Sequence, residues 1–212
     1  MRRVAGRVWF AVTAVAVLTG LVVQVFVTAG ATTGLFPTTA GRLVNLFCYF
    51  TIQSNVIVLV TTALLAANPA RGSTAFRVFR LAGLIGIAVT GIVFHTVLAG
   101  LNELAGAAKL ADFLLHTASP LLTVLGWLLF GPRGGIDWRV IGLALIYPAL
   151  WLVFTLVRGP IVDYYPYPFI DVDALGYPRV LLNCLVVALL FFALAAGARA
   201  LDRVLTRRVV VS

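Results

Sequence analysis

Phe50-Thr51-Ile52-Gln53-Ser54-Asn55 lies inside the apolar run 43–67, which is long enough to cross a membrane. Four of these six residues carry hydrogen-bonding side chains, which are costly in hydrocarbon unless each finds a partner or faces a polar cavity. Two interpretations follow. The side chains bond to neighbouring helices, or they line a functional site.

The composition of the whole chain places it in a membrane. Of its 212 residues, 62% are hydrophobic and only 11% are charged, whereas about 25% are charged in a soluble domain. The mean hydropathy is +1.07. The net charge of +9 sits at helix ends rather than on a basic domain, so nucleic acid is not expected as a partner and anionic lipid headgroups are.

Six apolar runs of spanning length predict an all-α, polytopic bundle of six transmembrane helices. Too few polar residues remain for a separate soluble domain, so the prediction is one domain over residues 1–212. The repeat of small residues at Ala82, Gly86 and Thr90 predicts close helix packing in the third span. The predicted spans are 8–29, 43–67, 79–101, 110–130, 138–157 and 180–198.

The basic residues predict the topology. Twelve of the 16 lie at the N-terminus, in the second and fourth connections and in the C-terminal tail, so both termini are expected in the cytoplasm. Lys109 is the only lysine, and this strong preference for arginine favours a bacterial source. The expected location is therefore the inner, or plasma, membrane.

The polar residues of the spans gather at one depth. In this topology Thr51, His95 and His116 lie roughly 9–12 Å below the outer boundary, at 1.5 Å per helical residue. Asp112 and Asn183 lie shallower on the same side. Because the inner half is almost entirely Val, Leu, Ala and Gly, this distribution predicts a polar pocket in the outer half.

Helical spacing groups these residues further. Thr51 and Asn55 share one face of the second span, and Asp112, His116 and Ser119 share one face of the fourth. From four residues away, Asp112 is expected to hold the His116 ring and fix its tautomer, although it also suits a helix cap. His95 either forms a hydrogen bond to a neighbouring helix or belongs to the site. No spacing typical of a zinc site occurs, so neither a metal nor another cofactor is expected.

Several short motifs carry a resemblance. Tyr49-Phe50-Thr51, Leu115-His116-Thr117 with Pro120, Tyr147-Pro148-Ala149-Leu150-Trp151, Tyr167-Pro168-Phe169 and Leu182-Asn183 occur in this order between residues 43 and 190. Together they resemble the androgen-induced protein and ADTRP-like family, multi-span membrane threonine hydrolases of fatty acid esters of hydroxy fatty acids. The resemblance implies a bacterial member in which Thr51 is the nucleophile and His116 its partner. It also makes Trp151 a supporting residue.

The chemistry agrees with that implication. A threonine hydroxyl is a weak nucleophile that needs a base, which a neutral imidazole supplies, and the ester oxygen needs hydrogen-bond donors. Asn55, Asn183 and Arg158 lie on the correct side of the membrane to donate. The sequence thus predicts hydrolysis of a lipid ester, or another amphipathic ester, taken from the bilayer.

The sequence leaves two alternatives open. A small transporter or permease would use the same pocket as a binding site, but it would need polar residues on both sides of the membrane midplane. A lipid-binding protein without turnover would keep Thr51 and His116 apart.

Overall fold

The computed structural model of the chain describes residues 1–101 and 103–211, except for the side chains of Arg2 and of residues 208–211. Over this part of the chain the regular structure is helical, with no β-strand. Six helical segments are long and apolar enough to cross a membrane, which confirms the predicted six-span, all-α fold.

The helices are α1 (Arg2–Gly30), α2 (Thr39–Cys48), α3 (Phe50–Ala67), α4 (Thr74–Val93), α5 (Gly106–Phe113), α6 (Ser119–Phe130), α7 (Trp138–Val162) and α8 (Val172–Val211). A π-helical turn, Phe94–Leu98, extends α4. A second π-helical turn, Leu114–Ala118, joins α5 to α6 in one span, and a 3₁₀ turn, Pro168–Ile170, precedes α8.

Side-chain caps in the connections start four of the helices, among them α8, where the Asp171 carboxylate accepts from the Ala174 N–H. The Thr38 hydroxyl accepts from the Gly41 N–H, the Ser73 hydroxyl from the Phe76 N–H and the Asp137 carboxylate from the Val140 N–H. These bonds satisfy N–H groups that a helix leaves without a partner in its first turn.

Contacts at the two ends show that consecutive spans alternate in direction. At one end, Arg7 donates to the Ala66 carbonyl at the close of α3, and Arg80 donates to the Pro132 carbonyl after α6. At the other end, Arg42 donates to the Thr28 carbonyl near the close of α1. The cytoplasmic position of the first end remains a prediction from the distribution of charge.

α3 and α4 pack closely, as the small residues in the third span predict. A Cβ atom at Gly86 would lie 3.0 Å from the Ser54 hydroxyl, and one at Gly83 would lie 3.0 Å from Ile57 Cγ2. Glycine at these positions lets the two backbones approach.

The predicted bounds were wrong in several places. α1, α4 and α5 begin at Arg2, Thr74 and Gly106, before the predicted 8, 79 and 110. The run 43–67 is not one helix, because Tyr49 adopts an extended conformation (φ −70°, ψ 134°) between α2 and α3. α7 continues beyond 157 to Val162. α8 extends beyond 180–198 in both directions and bends at Gly176, where φ is 72°. Its C-terminal part bonds to the body of the protein, since the Asp202 carboxylate accepts from the Ile136 N–H.

Candidate active site

The break at Tyr49 is held by polar side chains that replace the missing helical bonds. Trp151 Nε1 donates to the Cys48 carbonyl at 2.8 Å, and the Gln53 amide donates to the Phe47 carbonyl at 2.9 Å. Backbone groups at membrane depth must be bonded within the protein, so these two side chains make the break possible. Trp151 and Gln53 therefore stabilise the backbone beside the site.

The same break places Thr51 in the first turn of α3, where backbone N–H groups lack helical partners. Its N–H donates to the Tyr167 hydroxyl at 3.2 Å, and its own hydroxyl lies 3.2 Å from the same oxygen. Thr51 is 7% exposed. The Thr51 hydroxyl is thus buried at the positive end of a helix, in contact with a phenol.

His116 lies in the π-helical turn that joins α5 to α6. Pro120 has no N–H for the His116 carbonyl, and the Ser119 N–H bonds to the Leu114 carbonyl, five residues back. A Cβ atom at Gly91 would lie 3.0 Å from Pro120 Cβ, so glycine in α4 provides room for this turn. The proline and the facing glycine together position the histidine.

Two contacts fix the orientation of the His116 ring. Nδ1 lies 3.0 Å from Asp112 Oδ1 and 3.2 Å from the Asp112 carbonyl oxygen, as the four-residue spacing predicts. The Phe94 ring stacks on the imidazole, with centroids 4.2 Å apart and an interplanar angle of 16°. Because both neighbours of Nδ1 are acceptors, the neutral ring carries its proton there and leaves Nε2 as a base.

Asn55 connects the two halves of the site. Its amide nitrogen donates to the Thr51 carbonyl at 2.9 Å and to the Leu115 carbonyl at 3.2 Å. The second bond replaces a helical one, because the Ser119 N–H that would serve Leu115 in an α-helix goes to Leu114. Both Asn55 donors are thereby used, so the prediction that Asn55 supplies a free donor to an ester oxygen is not supported.

Two cavities meet at Thr51 and His116. The inner chamber is a cavity of about 320 Å³ between α3, α4, α7 and α8 with mainly apolar walls, and the vestibule is a cavity of about 590 Å³ beneath the connections at the opposite end from Arg7. Both are of a size typical of small-molecule sites. The residues that line both are Thr51, Leu98, His116 and Tyr167.

Thr51 and His116 therefore face a common space, as the matched depths predict. The two side chains, both within the described part of the chain, make no direct hydrogen bond. Thr51 is instead bonded to Tyr167, and the His116 side chain is 20% exposed. Both residues line the two cavities, in which a substrate would lie.

Other predicted site residues lie outside this junction. His95 is exposed, lines neither cavity and bonds to the Thr117 hydroxyl at 3.1 Å. Ser119 is fully buried outside both cavities, because the π turn rotates it away from the face of His116. Arg158 donates to Asn45, and Asn183 donates to the Phe169 carbonyl. The prediction that Ser119 shares the site face of His116 was thus wrong. Arg158 is bonded to α2 through Asn45, and Asn183 supports the 3₁₀ turn before α8.

Three residues of the site were not anticipated from the sequence. Tyr167 belongs to the Tyr-Pro-Phe motif of the resemblance, which was a signal, but the sequence assigned it no role. Phe94 gave no signal. The sequence indicates Thr90 only as a small packing residue, yet it lines the inner chamber, and its buried hydroxyl has no hydrogen-bond partner among the described residues.

The polar walls of the vestibule contain few free charges. Arg42 directs its five N–H groups at four backbone carbonyls and one hydroxyl, those of Thr28, Ala29, Phe36, Pro37 and Thr39. Asp112 is the acidic residue that lines it. Within residues 1–101 and 103–211, no three His, Cys, Asp or Glu side chains are placed to hold a metal ion.

These observations define a multi-pass α-helical membrane protein with a polar junction between two cavities in one half of the bundle. Comparison with protein-family models, with curated proteins and with solved structures finds no match to this chain.

Proposed function

We propose that this protein is an integral membrane hydrolase that cleaves a lipid ester, with Thr51 as the nucleophile and His116 as the general base. The observation that carries the proposal is that both side chains line both cavities, with Nδ1 of His116 held by Asp112 and Nε2 left as a base. The resemblance of the Thr51 and His116 motifs to the androgen-induced protein and ADTRP-like family supports the same roles. By the charge distribution, the site lies in the outer half of the plasma membrane.

The reaction has two stages. His116 Nε2 removes the Thr51 hydroxyl proton as the Thr51 oxygen bonds to the ester carbonyl carbon. When the tetrahedral intermediate collapses, the bond to the alcohol oxygen breaks and that oxygen takes the proton from His116. A water molecule then attacks the acyl-Thr51 carbonyl in the same way, and the fatty acid leaves.

The two cavities suit the two ends of such a substrate. The inner chamber accepts an acyl chain, because its walls include Val89, Val187 and Phe191. The vestibule accepts the alcohol portion and offers it hydroxyl and amide groups. Since the N–H groups of Arg42 are fully used, the alcohol portion that fits best is uncharged.

The test is fluorophosphonate labelling together with turnover of a long-chain ester by purified protein in detergent. Thr51→Ala should abolish both, and His116→Ala should slow turnover by several orders of magnitude, because a threonine without its base is nearly inert. Thr62→Ala is the matched control on the same helix, since the Thr62 hydroxyl bonds only to carbonyls of α3. Wild-type hydrolysis by a folded Thr51→Ala variant would refute the proposal.

A further inference from the structure

Hydrolysis of an ester requires a hydrogen-bond donor for the carbonyl oxygen as it becomes negative, and that donor must point into the cavity beside the nucleophile. The amide of Asn55 and that of Asn183 are both bonded to backbone carbonyls. The indole N–H of Trp151 is likewise bonded to the Cys48 carbonyl. These groups hold the backbone and do not reach the ester.

Tyr167 differs from them in position. Its hydroxyl is the polar side-chain group in hydrogen-bond contact with the Thr51 hydroxyl, at 3.2 Å, and Tyr167 lines both cavities at their junction. An ester carbonyl attacked by Thr51 would bring its oxygen within a few ångströms of this phenol.

The hydrogen bonds around Tyr167 leave its proton available. The phenol oxygen accepts from the Thr51 N–H, so its own O–H points elsewhere, and in the empty site it can donate to the Thr51 hydroxyl. Burial raises the pKa of the Tyr167 phenol, so the group is protonated at neutral pH. The ring is held by an edge-on contact with Tyr49, at 5.8 Å, and by stacking on Phe169, at 5.5 Å.

We infer that Tyr167 is a further catalytic residue, whose hydroxyl turns from the Thr51 oxygen to the ester carbonyl oxygen and stabilises the negative charge formed there. The inference rests on the proposed function. No proton is transferred from Tyr167: the electron pair of the carbonyl bond moves to oxygen, the phenol donates a hydrogen bond to it, and the pair returns when the alcohol leaves. The proton of Thr51 still travels through His116.

Thr90 is the rival donor, because it lines the inner chamber and its buried hydroxyl has no hydrogen-bond partner among the described residues. Tyr167 is favoured because its hydroxyl is in hydrogen-bond contact with the nucleophile itself, whereas the Thr90 hydroxyl makes no hydrogen bond to Thr51 or to any other described residue. The experiment therefore compares the two residues directly.

Tyr167→Phe keeps the ring and removes only the hydroxyl. We expect kcat for a long-chain ester to fall roughly 10²–10³-fold with KM changed by less than about threefold, as for loss of one oxyanion donor. Tyr165→Phe is the matched control in the same loop, because Tyr165 is buried but lines neither cavity, and its kcat should stay within about twofold of wild type. Thr90→Val should behave like this control.

A second measurement separates catalysis from folding. The same ester is compared with its thionoester, in which sulfur replaces the carbonyl oxygen and is a poorer acceptor. The preference is the rate for the oxygen ester divided by the rate for the thionoester. In wild type this ratio should exceed the ratio for hydroxide in solution by at least about tenfold, and Tyr167→Phe should remove most of that excess. A general loss of structure would slow both esters equally. If Tyr167→Phe does not fold, 3-fluorotyrosine at position 167 keeps the hydroxyl and makes it a stronger donor. The preference should then rise.

The outcomes distinguish this inference from the proposed function. If Thr51→Ala is inactive but Tyr167→Phe keeps both kcat and the oxygen-ester preference, Tyr167 is not the donor and the hydrolase proposal stands. A preference lost in Thr90→Val and kept in Tyr167→Phe also overturns the inference, in favour of Thr90. An oxygen-ester preference that is unchanged with 3-fluorotyrosine at position 167 also overturns the inference about Tyr167. If Thr51→Ala hydrolyses at the wild-type rate, both proposals fail.

Discussion

Replacement of Asn55 by leucine would test whether the bond between α3 and the π turn holds the site together. Leucine has a similar size, so the change removes polar groups without opening a large cavity. It deletes the bonds to the Thr51 and Leu115 carbonyls. The side-chain oxygen of Asn55, Oδ1, has no hydrogen-bond partner in the described structure, so its removal breaks no hydrogen bond.

The two lost bonds are unequal. The Thr51 carbonyl lies inside α3 and retains its helical partner, whereas the Leu115 carbonyl is left without a donor because the Ser119 N–H is bonded to Leu114. A side-chain bond between membrane helices contributes about 0.6 kcal/mol on average and up to about 1.7 kcal/mol. An unsatisfied buried carbonyl costs about 1–3 kcal/mol. We therefore expect Asn55→Leu to lower the free energy of unfolding by about 1–2 kcal/mol.

The assay is equilibrium unfolding in mixed micelles with increasing sodium dodecyl sulfate, followed by circular dichroism. Thr62→Val is the matched control, since its hydroxyl bonds only to its own helix, and it should change the free energy by less than about 0.5 kcal/mol. Turnover per folded Asn55→Leu molecule should fall more than about tenfold, because the turn that carries His116 is no longer tied to the helix of Thr51. Stability and turnover both matching the control would refute this account of the site.

Three further predictions concern other residues. Asp112→Asn should slow turnover only about tenfold, because the Asp112 carbonyl oxygen also accepts from His116 Nδ1, and a loss as large as that in His116→Ala would contradict this. His95→Ala removes one bond to Thr117 on an exposed surface, so unfolding and ester assays should show a cost below about 1 kcal/mol and turnover within tenfold of wild type. Reporter fusions after residues 75 and 207 should be cytoplasmic and one near residue 170 external, and a cytoplasmic reading at 170 would reverse the assigned membrane side of the site.

The sequence alone was sufficient for the class of fold. Spanning lengths and the sparse charges predicted a six-helix bundle, the small residues at Gly86 and its neighbours predicted close packing of the third span, and these features are confirmed. The contact between Asp112 and His116 was also predictable, because it joins residues one helical turn apart. Such features depend on local spacing or on the hydrophobicity of a whole segment, which a sequence displays directly.

The tertiary structure decided where the helices depart from ideal geometry. Nothing in 43–67 marks Tyr49 as a break, since the side chains that hold it include Trp151, about a hundred residues away along the chain. Pro120 signals a disturbance near His116, but the π turn also needs Gly91 from another helix to make room for it. The contact of Tyr167 with Thr51 likewise joins distant segments.

Periodicity therefore placed Ser119 beside His116 wrongly and left Tyr167 unassigned. The physical reason is that an ideal helix satisfies its own backbone, so its geometry can be read from spacing. A broken or widened turn exposes N–H and C=O groups that only side chains from other helices can satisfy at membrane depth. The site of this protein is built from two such turns, and its geometry exists only once the helices have packed.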